Sequence, residues 1–225
     1  MRTLALWLTH GRQDLTNQML AQFSTQDTIP YVVVDNGSYV PIEVPPGAPF
    51  IRIPENKHFV GGWNYALKCL DPSAGWTHVW MLNDDVQGFN LELLQNVAAG
   101  FRTGYKFAAI TPSFNSPHQV FHNFKTNVVR MSTWVDWCCP IVSLDAWSDV
   151  GPFDERFTGY GADLDWCKRA RDRGWLFGVD DRYEINHLGS QTSTVDGSHN
   201  KMRCVDSMNR VLREKWGVYD WSQMI

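Results

Sequence analysis

Short apolar stretches that alternate with helical patterns constrain the fold of this chain more than any other feature of its sequence. Residues 3–9 (TLALWLT), 31–35 (YVVVD) and 77–82 (THVWML) are apolar or β-branched, as buried strands are. Residues 13–23 and 91–101 carry apolar side chains at helical spacing. Strand and helix in alternation predict an α/β, Rossmann-like domain with a mostly parallel central sheet flanked by helices.

The second half of the chain is less regular but continues the same theme. Further strands are predicted at residues 49–54, 107–111, 128–131 and 182–187, and further helices at 64–70, 163–173 and 201–216. No internal repeat and no long Pro-, Gly- or Ser-rich linker divides the 225 residues. The sequence therefore predicts one domain over residues 1–225.

Charge and cysteine content exclude several classes of protein. With 20 basic and 24 acidic residues the net charge is −4, which argues against a strongly basic face for a polyanion. The basic residues near the C-terminus form either a solvated helix face or a local basic patch. The cysteine count is odd, at five, and no CxxC pair occurs, which argues against a disulfide framework and a zinc site. Neither a signal-peptide pattern nor a long apolar stretch is present, so we expect a soluble, cytoplasmic protein without stable membrane insertion.

An acidic strand end is the strongest local feature. Asn83, Asp84 and Asp85 directly follow the strand at residues 77–82. In open α/β sheets, ligands collect at the carboxyl ends of strands, and adjacent carboxylates favour a cation between them. Mg²⁺ or Mn²⁺ prefers such oxygen ligands and commonly bridges diphosphates. The alternative interpretation is an acidic turn that leads into the next helix.

Two further sites carry residues suited to chemistry. Asp163 and Asp165 lie at a predicted helix start after a Gly-Tyr-Gly loop, where the helix dipole favours a carboxylate that can accept a proton. Ordinary helix capping is the alternative. His187, in the segment NHLGS, could complete a metal site with Asp85, although a histidine after a strand can also be structural.

Residues 56–64 (NKHFVGGWN) contain a Gly-Gly pair before a predicted helix. Such a pair either lets a phosphate or ribose approach backbone N–H groups or forms a plain turn. The phosphate-binding loop GxxxxGK[ST] and the dinucleotide fingerprint GxGxxG are both absent from the sequence, which argues against the usual ATPase and dinucleotide sites.

Taken in order, these segments resemble the family 2 glycosyltransferases, which have the GT-A fold. The resemblance spans most of the chain. In the first half it rests on residues 6–12 (LWLTHGR), 32–38 (VVVDNGS), 56–64 and 81–86 (MLNDDV), the last of which lies at the metal-binding DxD position. In the second half it rests on residues 151–169, which resemble the Gly-x-Phe-Asp-Glu and Glu-Asp-x-Asp blocks, and on residues 215–217 (KWG). The chain departs from the pattern at three places. His10-Gly11 replaces an aromatic residue and Asn, Asn83 takes the first DxD position, and Ala162 stands where Glu is usual.

The resemblance implies roles for individual residues. Thr9, Arg12 and Asp35 would hold the nucleoside, and Asn64 would position the donor. Asp85 and His187 would bind Mn²⁺ or Mg²⁺, with Asn83 or Asp84 assisting at the donor. Asp163 would be the catalytic base, with Asp165 as the alternative that the Ala162 departure leaves open.

Ring chemistry and position make Trp134, Trp137 and Tyr160 candidates for the acceptor wall, with core packing as the alternative for both tryptophans.

The implied activity is transfer of a sugar, with inversion, from a nucleotide-diphosphate sugar to an acceptor hydroxyl on a glycan, a protein or a modified nucleic-acid base. Residues 1–100 would then bind the nucleotide sugar, and residues 101–225 would bind the acceptor and carry out catalysis. Two other functions remain open from the sequence. One is a catalytically silent nucleotide-sugar or glycan-binding protein on the same fold. The other is a sugar-nucleotide pyrophosphorylase, although its Gly-rich, Arg-containing N-terminal loop is missing.

Overall fold

Parallel strands form one half of the sheet in the computed structural model, which describes residues 1–24, 29–115, 126–189 and 201–225, with side chains omitted for 201–203. Strand β1 (Thr3–Thr9) pairs in parallel with β2 (Tyr31–Asn36) and β4 (His78–Asn83), and β2 pairs in parallel with β3 (Phe50–Ile53). Thr9 lies opposite Asp35, and Leu8 lies opposite Asn83. The carboxyl ends of β1, β2 and β4 therefore meet at one edge of the sheet, which we call the carboxyl edge.

The other half of the sheet is mixed. Strand β8 (Ile141–Ser143) lies antiparallel between β4 and β6 (Phe107–Phe114), so β6 runs parallel to β4. Strand β9 (Leu176–His187) runs parallel to β6 and antiparallel to β7 (Val129–Ser132). Its last residue, His187, pairs with Val86 of the short strand β5 (Val86–Gln87). This pairing brings His187 to the carboxyl edge, next to the residue that follows Asp85.

Helices cover both faces of the sheet. Side chains of β1 alternate between two cores: Leu4, Leu6 and Leu8 enter one, and Ala5 and Trp7 enter the other. The first core contains α2 (His58–Lys68), α4 (Leu144–Val150), α5 (Ala162–Arg171) and α6 (Lys201–Trp216). The second contains α1 (Gln13–Ser24) and α3 (Leu91–Ala99). The predicted α/β domain with a central sheet flanked by helices is confirmed.

The structure corrects several predicted elements. Helix α2 begins at His58, so Gly61 and Gly62 lie inside a helix and not in a turn before it. Gly62 permits close packing, because a Cβ there would lie 2.8 Å from Nδ2 of Asn36. Helix α4 was not predicted, and Ser143 caps it by accepting from the Ala146 N–H at 3.3 Å. None of the helices in the described segments combines the length and apolarity that a membrane crossing requires.

Candidate active site

The acidic residues that follow β4 form hydrogen bonds with residues at the ends of β1 and β9, at the carboxyl edge. Asp84 accepts hydrogen bonds from Thr9 Oγ1 at 3.2 Å and from the His10 N–H at 3.4 Å. Oδ1 of Asp85 lies 3.2 Å from Nε2 of His187, and the Leu188 N–H donates to the Asp85 carbonyl at 2.9 Å. Both carboxylates are buried. Thr9, Asp84, Asp85 and His187, which the sequence places far apart, are therefore brought together.

His187 lies in a negative electrostatic environment. Burial by itself lowers its pKa, but the hydrogen bond and charge of Asp85, helped by Asp136 and Asp84, outweigh burial and raise it. Cys138 Sγ lies 3.4 Å from Nε2 of the same ring. Asp136 in turn accepts from the Cys138 thiol at 2.8 Å and from the Cys138 N–H at 3.2 Å. This field favours a cation beside Asp85.

The residues present can supply some, but not all, of the ligands that a divalent cation needs. Within the described segments, no group of three or more His, Cys, Asp or Glu side chains has the arrangement of a complete metal site. Asp85 and His187 nevertheless offer two ligands, and Oδ1 of Asn83 is buried without a hydrogen-bond partner. Mg²⁺ is commonly held by one or two carboxylates, waters and substrate phosphates. Such an ion would need a diphosphate to complete its coordination.

Asp35 lies at the same edge but is turned inward. Its side chain is fully buried, forms an ion pair with Arg52, and accepts from the N–H groups of Ser38 at 2.9 Å and Ile42 at 3.2 Å. The Nη2 group of Arg52 donates to the Ser38 carbonyl at 2.9 Å. Asp35 thus fixes the loop that follows β2, and a direct contact with a nucleoside stays a prediction.

Arg12 and Asn64 also have partners within the protein. Arg12 donates to both carboxylate oxygens of Asp14, at 2.9 and 2.7 Å, and this bond raises its pKa more than the nearby Asp84 and Asp85 do. Asn64 exchanges hydrogen bonds of 2.9 and 3.0 Å with the backbone of Phe153 and donates to Glu155 at 2.9 Å. Asn64 therefore anchors the loop that leads toward α5.

Asp163 and Asp165 have opposite environments at the start of α5. Asp165 is buried and satisfied by Arg169 at 2.9 Å, Lys215 at 2.8 Å and the Trp216 indole N–H at 2.8 Å. Asp163, in the part of the chain that the structure describes, accepts from neighbouring backbone N–H groups alone, with the Leu164 N–H at 2.9 Å. Desolvation, followed by the charge of Asp136, raises the pKa of Asp163 to about 7. Asp163 is thus the carboxyl group suited to proton transfer, and Asp165 joins α5 to α6.

The three candidate acceptor residues differ in exposure. Tyr160 is 39% exposed and Trp134 is half-buried, whereas Trp137 is only 1% exposed. The Trp137 ring packs against Trp166 and Phe153, with centroid distances of 5.0 and 4.8 Å. Of the three, Trp137 is a core residue, as the alternative interpretation of the sequence allowed.

The sequence analysis missed two groups of polar residues. His10 Nδ1 lies 2.9 Å from the Asn36 carbonyl, and its Nε2 lies 3.2 Å from Nδ2 of Asn56. Since a carbonyl can only accept, Nδ1 carries the proton. The other group is Asp136 and Cys138, which the sequence places inside an aromatic run with a packing pattern. Their polar character within that run was the available signal.

Comparisons of sequence identify relatives of this chain but no activity. No protein-family model matches the chain. The uncharacterized protein Rv1525 of Mycobacterium tuberculosis is 28% identical over 207 residues, covering 84% of this chain and 75% of that protein. The uncharacterized protein Mb1552 of Mycobacterium bovis matches equally well. These relatives carry no known activity to transfer.

Solved structures of glycosyltransferases are similar in fold. GalNAc-T7 with UDP, GalNAc and Mn²⁺ has a TM-score of 0.70 at 10% identity, covering 97% of this chain and 49% of that one. Staphylococcus aureus TarS with UDP-GlcNAc has a TM-score of 0.68 at 14% identity, covering 100% and 69%. The mannosyltransferase PcManGT of Pyrobaculum calidifontis, with GDP-Man and Mn²⁺, has a TM-score of 0.65 at 13% identity, covering 86% and 59%. At such low identity the likeness shows the fold, which is that of the GT-A glycosyltransferases.

Proposed function

We propose that this protein is a metal-dependent glycosyltransferase that moves a sugar from a nucleotide-diphosphate donor to an acceptor hydroxyl, with inversion at the anomeric carbon. The observation that carries the proposal is that two acidic groups at one site have different partners and therefore suit different roles. Asp85 pairs with His187, whereas Asp163 has a pKa near 7 and no cationic partner among the described residues. Asp136 acts electrostatically on both His187 and Asp163, which supports assigning the two groups to one site.

The donor side is formed by the ends of β1, β2 and β4. Asp85 and His187, with the unpaired Asn83 oxygen nearby, are the residues that would hold Mn²⁺ or Mg²⁺. The ion, when bound, supplies charge neutralisation for the departing diphosphate. Arg12 follows β1 in the field of Asp84, where it can contact the nucleotide, whereas Thr9 is buried and would act by holding Asp84 through its hydroxyl. The GT-A fold and the nucleotide-sugar complexes of TarS and PcManGT support this assignment.

The acceptor side is formed by the start of α5 and the loop before β8. Asp163 takes the proton of the attacking hydroxyl while the bond from the acceptor oxygen to the anomeric carbon forms and the bond to the diphosphate oxygen breaks. A base whose pKa lies near 7 is well matched to this task at neutral pH. Trp134 and Tyr160 are exposed enough to contact the acceptor, and buried Trp137 supports the loop beneath them.

A thermal-shift panel of nucleoside diphosphates with and without Mn²⁺ tests the donor site. At about 100 times the dissociation constant, a ligand stabilises the native state by about 2.7 kcal/mol, or roughly 5–10 °C for a domain of this size. We expect this shift from one class of nucleotide, and only when Mn²⁺ is present. Shifts that are the same with and without the ion would contradict the shared site.

Activity assays separate this function from the two alternatives. Hydrolysis of the donor in the presence of Mn²⁺ excludes a silent binding protein, and failure to make a nucleotide sugar from a sugar phosphate and a nucleoside triphosphate excludes a pyrophosphorylase. Conversely, tight donor binding without hydrolysis or transfer to any acceptor would refute the proposed activity.

Asp35→Ala is expected to lower nucleotide affinity at least about tenfold and to lower Tm, because the change leaves Arg52 without its buried partner and frees the loop after β2. Calorimetry with the nucleoside diphosphate from the panel measures the affinity. Asp145→Ala, at an exposed position in α4, is the control and should change neither quantity appreciably. Full affinity in a folded Asp35→Ala protein would remove Asp35 from the nucleotide site.

A further inference from the structure

One face of α5 lies against the loop that precedes β8. Asp163, Cys167 and Arg171 are four residues apart and therefore project from the same side of the helix. Arg171 donates to the Thr133 carbonyl at 2.9 Å, and the Cys167 thiol interacts with the Val135 backbone and the Trp137 indole. The loop thus runs along the helix toward its N-terminus. Continued in this direction, the loop brings Asp136 toward Asp163, and the charge of Asp136 acts on the Asp163 carboxyl group.

Asp136 is held rigidly but keeps acceptor capacity. It accepts two hydrogen bonds, from the N–H and the thiol of Cys138, both at Oδ1. Within the described residues no Lys or Arg forms an ion pair with it. It is half-buried, and the adjacent Trp137 is locked in an aromatic cluster with Trp166 and Phe153. Oδ2 is therefore available to a ligand that enters between the loop and α5.

Two carboxylates that lie close together without a cation between them raise the free energy of the folded state, since each disfavours the ionised form of the other. Among the described residues, the titratable groups that act on Asp163 are Asp136 from the loop and, on the same helix, Cys167, whose pKa burial raises to about 12. Asp165 does not contribute to this repulsion because Lys215 and Arg169 neutralise it. Such an arrangement is typical of a functional site and not of a structural ion-pair network.

We propose that Asp136 is a second acceptor-binding carboxylate, opposite Asp163, and that the acceptor is a polyol such as a glycan, with two neighbouring hydroxyls. This inference rests on the proposed function. One hydroxyl gives its proton to Asp163 as it attacks the donor, and its neighbour donates a hydrogen bond to Oδ2 of Asp136. Charge-assisted O–H···O⁻ bonds are strong enough to fix the acceptor ring. A serine side chain offers one hydroxyl, which cannot give its proton to Asp163 and donate to Asp136 at the same time.

A carboxyl-detected NMR titration of the unliganded protein tests the facing arrangement without requiring turnover. Asp136→Asn should lower the titration midpoint of Asp163 by roughly one pH unit, because a neighbouring negative charge is removed. The control is Asp145→Asn, which removes the same charge at an exposed position of α4 and should leave the midpoint unchanged. An unchanged midpoint in Asp136→Asn would overturn the arrangement.

Transfer assays with sugars of the nucleotide that the thermal-shift panel identifies test the acceptor role. The acceptor probes are methyl glycosides of glucose, galactose, mannose and rhamnose, beside a serine-containing peptide. For Asp136→Asn we expect the glycoside KM to rise at least about tenfold, by a factor several times larger than any change in donor KM. The acid limb of the pH–rate profile should also move to lower pH. Use of the peptide as the preferred acceptor, or an unchanged glycoside KM, would overturn the acceptor role.

The two proposals fail in different ways. If the wild-type protein neither hydrolyses a nucleotide sugar nor transfers sugar from one, the proposed glycosyltransferase function is refuted and the acceptor role of Asp136 with it, whatever the NMR titration shows. If the wild-type protein transfers sugar normally and only the Asp136→Asn measurements are unchanged, the glycosyltransferase function stands and the role of Asp136 is refuted.

Discussion

Asp163→Asn is expected to lower sugar transfer by roughly 10²–10⁴-fold while donor affinity stays nearly intact. The substitution preserves the shape of the side chain and removes the group that accepts the proton. Donor binding should persist because Asp163 lies at the start of α5, whereas the donor side is built on β1, β2 and β4. Transfer rates and calorimetric donor affinities of the two proteins measure the effect.

The same carboxyl group predicts opposite pH trends for activity and stability. Transfer by the wild-type protein should rise with pH through about 7 as Asp163 ionises. Because folding raises this pKa above its ordinary value of 3.8, the folded state holds the proton more tightly, and stability falls as pH increases from about 4 to 7. Asp163→Asn should therefore have a higher Tm than wild type at pH 8 and an equal Tm near pH 4, which differential scanning calorimetry measures.

Asp165→Asn is the matched control for these measurements. Asp165 is buried between Arg169, Lys215 and Trp216, so the substitution should lower Tm at neutral pH, the opposite of Asp163→Asn. Its transfer rate should fall far less than that of Asp163→Asn at temperatures where both variants are folded. If Asp165→Asn abolishes transfer and Asp163→Asn does not, the two roles are reversed.

Elements with strong periodicity were predictable almost to the residue. Strand β1 and helix α6 have the predicted bounds, and α1 and β2 each extend one residue beyond them. Their signals are local, because a buried strand or an amphipathic helix repeats its apolar residues over its whole length. Strand β9 was predicted only over its second half. Its buried Asp180 and Asp181 interrupt the apolar pattern, and the partner of Asp181, Arg130, lies on β7, some fifty residues earlier in the chain.

The order of motifs located the carboxyl edge but not the partners of each residue. Asp84, Asp85 and His187 meet because β9 pairs with β5, a long-range contact that no local pattern contains. The difference between Asp163 and Asp165 depends on Lys215 and Trp216, some fifty residues downstream. Asp136 was overlooked because the surrounding tryptophans predict core packing, which is correct for Trp137 and says nothing about the carboxylate beside it.

Asp85→Asn is expected to cause a comparably large loss, of about 10³-fold or more in transfer. Lewis-acid stabilisation of a leaving group contributes several kcal/mol, and each 1.36 kcal/mol corresponds to a factor of about ten. The variant should also lose the Mn²⁺-dependent part of the thermal shift with the nucleoside diphosphate, since Asp85 and His187 are the described side chains that we propose as ligands of the ion. His187→Ala should behave in the same direction.

Loss of folding would not explain this result. Asn keeps the shape of Asp85, and the lost ion pair with His187 is offset in part by the lost repulsion with buried Asp84, so the unliganded variant should remain folded with only a small change in Tm. Treatment of the wild-type protein with a chelator provides the second comparison, because it should reproduce both the loss of transfer and the loss of the nucleotide-induced shift. If Asp85→Asn retains Mn²⁺-stimulated transfer and a Mn²⁺-dependent nucleotide shift, the ion is not held by this strand end, and Asp85 would instead serve to orient His187.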